Sequence, residues 1–421
     1  MLKNLLTALF VITSGAFFTL AANDTIAEVS FTGLSKTKPD YIRQYIVSTE
    51  GGEYNQKTVE RDAQNLRNIG LFTEVTLSIK ESPDGYYITF NCTELITLLP
   101  IINLGGLSDN FWYQLGAMDI NWLGRGNTLG GYYRYYDRHS FAAFLEIPRL
   151  IGQRWGITTS ISHISTIEPA FFSEGIAEYD VDNQAYLASI RYNLGTNSRI
   201  ELGGGLLEEN YLKNLERSGM NSPGPDEQSF TKWLIKLSAM QESIDYFYHY
   251  LNGYSNEIFL ETVRTEDEEG GFWKVLNISK FFKRIKKKGN WASRIRLGLS
   301  TNKQSPFVPF VLDSYLTARG SGNRSSRGTA EFTINTEYRH SVFERKSGAI
   351  QAVIFLDASA WRPAAGTVKS MFNRENNVTL AGIGGRLYLK RFNNLIIRAD
   401  YGVSLTTDGQ HGVVFGIGQY F

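Results

Sequence analysis

Most of this chain consists of short segments in which apolar and polar residues alternate. They begin at Leu98, are about ten residues long, and are separated by residues that favour turns. Alternation at every second residue predicts β-strands with two different faces. The segments are residues 98–105, 111–120, 127–137, 141–147, 155–165, 181–194, 198–211, 229–242, 254–264, 272–282, 291–301, 308–316, 329–340, 348–360, 377–390, 394–406 and 411–421.

The repeated alternation predicts a mostly β protein built around a transmembrane β-barrel. A tilted strand needs about ten residues to cross a bilayer. We assign 308–316 partly to a loop, which leaves about 16 antiparallel strands, an even number as in single-chain bacterial barrels. Beyond residue 22 there is no apolar run of about 18 residues, so transmembrane helices are excluded. The 56 aromatic residues (23 Tyr, 26 Phe, 7 Trp) suit strands that face both lipid and water.

The N-terminus has the order of a secretory signal. Lys3 precedes an apolar core at Leu5–Leu20, and small residues follow it. This order predicts a signal peptide over residues 1–22, cleaved near Ala21 or Ala22. An uncleaved membrane helix is the alternative, which the short core disfavours.

Residues 23–95 predict a small α/β domain with elements in the order β-α-α-β-β. Apolar residues recur in its second helix at spacings of three and four, at Val59, Ala63, Leu66 and Ile69. Gly70 follows, where a helix commonly ends in a positive-φ residue. A strand then begins near Phe72.

The motif in this domain resembles the POTRA module. Its pattern is Gly-x-Tyr-Asn, a helix, and then Leu-x-x-x-Gly-Leu-Phe-x-x-Val, carried here by Gly52–Asn55 and Leu66–Val75. POTRA modules lie on the periplasmic side of outer-membrane barrels that insert or translocate proteins. The resemblance implies one POTRA domain at 23–95, a barrel at 96–421 and a place in the bacterial outer membrane. The motif residues are Gly70, Leu71, Phe72 and Val75.

The last segment, His411–Phe421, resembles the C-terminal recognition signal of outer-membrane barrels, which ends on an aromatic residue. Tyr420 and Phe421 form that end. An ordinary edge strand is the alternative, and it explains the alternation but not the aromatic terminus. We expect Val413, Phe415, Ile417 and Phe421 to share the lipid-facing side, with Val414, Gly416, Gly418 and Tyr420 on the other.

A second motif, Leu316–Gly322, resembles the Arg-Gly loop of the BamA/TamA superfamily, also called the bacterial surface antigen family. In that family the loop folds into the barrel lumen, and its arginine meets the aspartate of a Phe-x-Asp-x-Gly strand. Phe355–Ser359 stands in that place, with serine for the final glycine. The resemblance implies that Arg319, next to Gly320, pairs with Asp357. Two unrelated solvated charges are the alternative.

A loop-flanking strand follows the Arg-Gly motif and carries Glu337 and Arg339. Ser321 also departs from the family, which usually has an aromatic residue at that position. These departures affect local packing more than the charge pair.

The side of each turn follows from the alternation of strand direction. With the POTRA domain in the periplasm, Asn121–Gly126 and the basic run Lys283–Asn290 become periplasmic turns, and 212–229 and 265–271 lie outside. We interpret the basic run as a solvated turn. Contact with phospholipid headgroups or an acidic partner is the alternative.

Closure of the barrel requires strand Leu98–Gly105 to pair with strand Gly412–Phe421. Gly105 on the first strand and Gly416 and Gly418 on the last lie at this seam. Because glycine contributes no side chain to pack across it, we expect this ladder to be the weakest of the barrel.

The sequence predicts no enzyme, cofactor or metal site. It has no Gly-x-Ser-x-Gly or His-Glu-x-x-His motif, its five histidines lack ligand spacing, and Cys92 is its single cysteine. A formal net charge of +1 gives no electrostatic basis for binding nucleic acid.

The resemblance implies that the protein inserts proteins into the outer membrane or translocates them across it. Its partners would be unfolded outer-membrane or secreted client proteins, outer-membrane lipid, and accessory periplasmic or lipoprotein subunits. The POTRA sheet edge can accept a client strand, and an opened seam can template strands in lipid.

Two other functions remain open. A two-partner secretion transporter would export one client, but it usually carries two POTRA modules and a plug helix. A passive porin needs neither a POTRA module nor an Arg-Gly loop.

Overall fold

A computed structural model describes most of the chain after the predicted signal peptide. The described residues are 24–105, 111–151, 154–172, 174–265, 271–302, 308–322, 325–345, 347–389, 395–406 and 409–421. The predicted signal peptide, residues 1–22, lies outside them. Within them, a small α/β domain precedes a closed β-barrel.

The first domain has the predicted β-α-α-β-β order. Its central strand is β3, which pairs with β1 in parallel and with β2 in antiparallel register, so β1 and β2 are the sheet edges. A short 3₁₀ turn at Arg43–Tyr45 follows the first helix. The elements are β1 (Ile26–Thr32), α1 (Pro39–Ile42), α2 (Gln56–Asn68), β2 (Phe72–Ser82) and β3 (Gly85–Glu94).

Local sequence explains how α2 starts and stops. The Asn55 side chain caps its first turn by accepting a hydrogen bond from the Thr58 N–H at 3.2 Å. Gly70, at φ +78°, lets the chain turn from the helix into β2.

The apolar face of α2 packs on the sheet. The domain core buries Val59, Ala63 and Leu66 of the helix against strand residues such as Val75, Ile88 and Phe90, and it also buries Leu71 and Phe72. Most of the POTRA motif residues therefore act by packing.

The barrel is closed by 16 antiparallel strands, counted over the described residues, so the predicted fold class is confirmed. A hairpin of β15 (Phe310–Leu312) and β16 (Ser326–Gly328) lies outside its wall order. Short helical segments occur at α3 (Leu215–Ser218), Val368–Phe372 and Arg374–Asn376. The wall strands are β4 (Leu98–Gly105), β5 (Trp112–Trp122), β6 (Asn127–Tyr136), β7 (Arg138–Ile151), β8 (Trp155–Phe172), β9 (Gly175–Asn193), β10 (Ser198–Lys213), β11 (Glu227–Phe247), β12 (Tyr250–Thr265), β13 (Phe272–Ile285), β14 (Gly289–Ser300), β17 (Ala330–Arg345), β18 (Gly348–Arg362), β19 (Asn377–Leu389), β20 (Leu395–Ser404) and β21 (His411–Ile417).

The outer wall exposes large apolar side chains at alternate positions. In β11, for example, Trp233, Ile235 and Leu237 are all exposed. Such a surface suits contact with lipid rather than water. None of the helices in the described residues is long and apolar enough to cross a membrane.

Several strands extend further than their sequence pattern predicted. The pattern ended one strand at residue 165 and began the next at 181, whereas β8 reaches Phe172 and β9 starts at Gly175. The extra length forms a hairpin outside the membrane, where Ala170, Tyr179 and Tyr211 help to build a small apolar core. In this part of β9 the alternation has the opposite sense, because Ala177, Tyr179 and Val181 are buried in that core while the polar Glu178 and Asp180 lie between them on the other face.

The POTRA domain docks on the barrel at the end of β7, where the Arg149 guanidinium lies 4.8 Å from the Tyr45 ring centre, and through ion pairs near two separate turns. At the β5–β6 end, Lys36 pairs with Asp119 at 2.7 Å, and the amide of Asn121 donates to the Thr37 hydroxyl at 2.9 Å. Near the β11–β12 turn, Arg61 pairs with Asp245 at 3.0 Å. The strands β6 to β11 separate these turns, so the domain lies across that part of the periplasmic opening.

We expect one carboxylate of the POTRA domain to make its stability depend on pH. Glu94 accepts hydrogen bonds from the Ser35 hydroxyl and from the N–H groups of Lys36 and Thr37. Burial alone would raise the pKa of Glu94, but these hydrogen bonds, including those from Ser35 and Thr37, outweigh it and lower the pKa to about 2. Because the folded pKa is depressed, the stabilisation is present above about pH 4.5 and is lost as pH falls towards 2.

The measurement compares thermal unfolding of the wild type and Glu94→Gln across this pH range. The wild type should unfold at the higher temperature near neutral pH, and the difference should shrink as the pH falls. A difference that stays constant with pH would contradict the assignment.

Candidate functional site: the lumenal loop and the barrel seam

The segment between β14 and β17 enters the barrel through a tight turn. The Asp313 carboxylate accepts the Tyr315 N–H at 2.7 Å and the Leu316 N–H at 3.3 Å, and the Thr317 N–H donates to the Asp313 carbonyl at 2.9 Å. This turn places Arg319, two residues after Thr317, in the lumen with no exposed surface.

Arg319 is held by two carboxylates on neighbouring wall strands. Its Nε and Nη2 donate to the two carboxylate oxygens of Asp357 on β18, at 2.8 and 2.9 Å. Its backbone N–H also donates to Asp357, at 3.0 Å, and its Nη1 pairs with Glu337 on β17. The structure therefore contains the two-pronged pair that the Arg-Gly resemblance implied.

Further charges extend this pair into a buried network across β17 to β20. Arg339 pairs with Glu337, while Arg386 and Arg398 reach Asp400 at 2.8 and 3.4 Å. All of these side chains are at most 3% exposed. Charges removed from water to this degree persist only when they are paired, so each member depends on its neighbours.

The tip of the loop touches the backbone of the last two strands. Gly320 has φ +95°, and a Cβ on it would lie 2.6 Å from the Gly402 carbonyl oxygen. A Cβ on Gly402 would lie 2.2 Å from the Arg319 carbonyl oxygen, and one on Gly412 would lie 3.4 Å from the Gly320 Cα. The loop can reach β20 and β21 this closely only because these residues are glycines.

The seam between β21 and β4 has a short ladder in the described residues. Its pairs are Val414 with Gly105, Phe415 with Leu104, and Gly416 with Asn103. The next shortest wall ladder, β20–β21, has seven pairs. Gly105 is the last residue before 106–110, which lie outside the described residues.

The prediction for the C-terminal residues is wrong in one respect. We expected Gly412–Phe421 to be one strand with Phe421 facing lipid, but β21 ends at Ile417. Gly418, at φ +93°, turns the chain out of the wall, and Phe415 remains on the outer face with 46% exposed.

The last residues pack inside the barrel. The Tyr420 ring lies 4.4 Å from the Arg319 guanidinium, and its hydroxyl donates to the Ser314 carbonyl at 3.1 Å. The Phe421 ring lies 5.3 Å from the guanidinium of Arg294. Contact between aromatic faces and buried cations favours this inward path over a lipid-facing one.

Sequence reasoning missed four charged residues of the lumenal centre. Arg294, Arg386, Arg398 and Asp400 were not singled out as site residues. Their signal is a charged residue at every second position of a strand whose alternate positions are apolar, as in Arg398-Ala-Asp-Tyr on β20. Among the described residues no group of three or more His, Cys, Asp or Glu could hold a metal ion.

Comparisons with known proteins agree with this architecture. Residues 25–95 match the POTRA family model, described as "Surface antigen variable number repeat". BamA from Haemophilus ducreyi lacking POTRA domains 1–3 is similar in structure with a TM-score of 0.56 at 15% identity, covering 93% of this chain and 84% of that chain. The fold is that of BamA: within the described residues a POTRA-like domain precedes a closed barrel of 16 strands.

Two CdiB structures share the same fold. CdiB from Acinetobacter baumannii has a TM-score of 0.57 at 12% identity and covers 93% of this chain and 73% of that chain. CdiB from Escherichia coli has a TM-score of 0.60 at 13% identity and covers 94% and 76%. With its apolar outer wall, the BamA-like barrel lies in the outer membrane and its POTRA module in the periplasm, as predicted.

We expect Arg319→Ala to release the loop while leaving the barrel folded. The change leaves Asp357 and Glu337 as buried charges without their arginine partner. For a fully buried site this destabilises the folded protein by about 3–5 kcal/mol. Hydrogen exchange of residues 313–322 should rise, while the folded barrel keeps its faster gel mobility before boiling. Arg374→Ala, in the exposed first position of the short helical segment Arg374–Asn376, is the control. Unchanged exchange in 313–322 would refute the anchoring role.

Gly402→Ala should displace the loop tip, because its new Cβ would lie 2.2 Å from the Arg319 carbonyl oxygen. Gly385→Ala is a matched control on the neighbouring strand, since nothing lies within 4 Å of its Cβ position. Hydrogen exchange near 316–322 should rise in the first variant only. Equal exchange in the two variants would contradict the close approach of loop and strand.

Proposed function

We propose that this barrel inserts client proteins into the outer membrane and that the BamA-like chain works without covalent chemistry. The observation that carries the proposal is a chamber of about 940 Å³ between the POTRA domain and the barrel. It joins the free edge of the POTRA sheet to the residues that end the seam strand. Its clients would be unfolded outer-membrane proteins, with lipid and accessory periplasmic or lipoprotein subunits as further partners.

The POTRA side of the chamber is formed by the start of β2. Residues Phe72–Thr76 line it. The opposite sheet edge, β1, is partly covered, because the Ile26 N–H donates to the Gly52 carbonyl and the Gly51 N–H donates to the Ile26 carbonyl, both at 2.8 Å. On the β2 edge the Arg67 Nη2 donates to the Val75 carbonyl at 2.7 Å, but within the described residues β3 is the one strand paired with β2. Since a side chain can move aside more readily than a paired backbone, the edge of β2 is the more accessible place for an extended client segment to add as a further strand.

The barrel side of the chamber ends at the seam. Ile396, Gln419 and Phe421 line it, and the Gly418 N–H donates to the Ile396 carbonyl at 2.8 Å. A client strand on β2 would lie beside the end of β21. The short β21–β4 ladder could then open and leave the β4 edge to pair with the client, because unpaired backbone groups are not tolerated in lipid.

The filled lumen favours this mechanism over a passive pore. The loop at 308–322 and the inward tail after Gly418 occupy lumenal space near the ion network. A porin needs an open aqueous channel. Secretion of one client through the lumen is the second candidate, and it requires the loop to leave its anchors while the seam stays closed.

Locking the seam separates insertion from secretion. Leu104 and Phe415 are directly paired across it, so Leu104→Cys and Phe415→Cys in a Cys92→Ser background should cross-link on oxidation. We expect the locked protein to lose client insertion in proteoliposomes and to recover it on reduction.

The matched control cross-links Asn277→Cys to Leu297→Cys, a paired position of β13 and β14. Locking there should leave insertion unchanged. If the seam-locked protein inserts clients at full rate, the seam does not open in the working cycle, and secretion through the lumen becomes the better description.

A further inference from the structure

The periplasmic rim of the barrel carries basic side chains that the proposed function does not use. Four lie in and beside the β13–β14 turn, and the fifth ends β17. The two segments adjoin each other because the Ser341 N–H donates to the Lys288 carbonyl oxygen at 2.8 Å. All five are exposed, and together they form what we call the basic rim: Lys283, Lys286, Lys287, Lys288 and Arg345.

Carboxylates do not neutralise this cluster. Within the described part of the chain, no cation of the basic rim forms an ion pair. The lumenal cations of the same strands do, since Lys274 pairs with Glu261 and Arg296 pairs with Glu331 at 2.9 Å. Clustered like charges repel one another, so an anion near the basic rim would stabilise it.

Exposed aromatic side chains lie next to the basic rim on the outer wall. Phe281, Trp291 and Phe343 are 49%, 52% and 46% exposed. Trp291 lies directly opposite Lys283 in the β13–β14 ladder, and the Arg345 guanidinium lies 5.1 Å from the Phe343 ring centre. Aromatic girdles of barrels lie at the level of the lipid headgroups, so these cations lie within reach of the phosphates.

We propose that the basic rim binds the phosphate groups of anionic glycerophospholipids in the periplasmic leaflet. The POTRA domain leaves it open, because that domain docks near the β5–β6 and β11–β12 turns. A cluster of this charge attracts an anionic surface over about one Debye length. Strands β18 to β21 separate the basic rim from the seam, so the bound lipid contacts a part of the wall that does not include the seam.

The test uses the full-length protein in bilayers of phosphatidylethanolamine with a minor share of phosphatidylglycerol. One lipid or the other carries a photo-activatable group, and cross-linked peptides are identified by mass spectrometry. Phosphatidylglycerol should label 281–291 and 342–345 in excess over phosphatidylethanolamine. Lys283→Gln with Lys287→Gln should lower that excess by about fivefold or more, and added salt should also lower it.

The matched control is Lys57→Gln with Lys80→Gln, which removes two exposed lysines of the POTRA domain and should leave the labelling unchanged. Gel mobility before boiling verifies that each variant is folded. Equal labelling by the two lipids, or an excess that survives Lys283→Gln with Lys287→Gln, overturns the proposal and leaves a solvated turn. Capture of an acidic periplasmic protein at the rim, without a lipid preference, overturns it as well.

Discussion

The interior of this barrel depends on the pairing of Arg319 with Asp357 and Glu337. An arginine with no exposed surface is stable only where carboxylates replace the water that it has lost. Asp357 supplies both oxygens to it, and Glu337 is shared with Arg339. The loop and two wall strands are thereby joined at one buried point, and disturbing one partner leaves the others without compensation.

The same centre connects the loop to the strands that close the barrel. The loop tip rests on the paired glycines of β20 and β21, at Gly402 and Gly412. The Tyr420 ring covers the guanidinium of Arg319, and its hydroxyl reaches back to the loop at Ser314. A seam that opens by moving β21 must therefore also disturb these contacts, so loop order and seam closure are physically coupled.

The POTRA domain makes the parts of the periplasmic opening different from one another. Its ion pairs at two distant turns hold it across one part of the opening, and the free edge of β2 faces the chamber that leads to the seam. The short β21–β4 ladder and the edge of β2 lie where the proposed client contacts occur. The unpaired cations of the basic rim lie where the proposed lipid contacts occur. Elsewhere the wall is closed by long ladders and an apolar outer face.

The sequence by itself determined the elements, because their periodicity is local: alternation predicted the wall strands, and the spacing of Val59, Ala63 and Leu66 predicted α2. The resemblance of Leu316–Gly322 also implied the Arg319–Asp357 contact. Tertiary structure alone decided that Phe421 turns inward, that Arg386 and Arg398 share Asp400, and that β8 continues beyond the membrane. These outcomes depend on groups far apart in the chain, whose burial and charge balance no local pattern records.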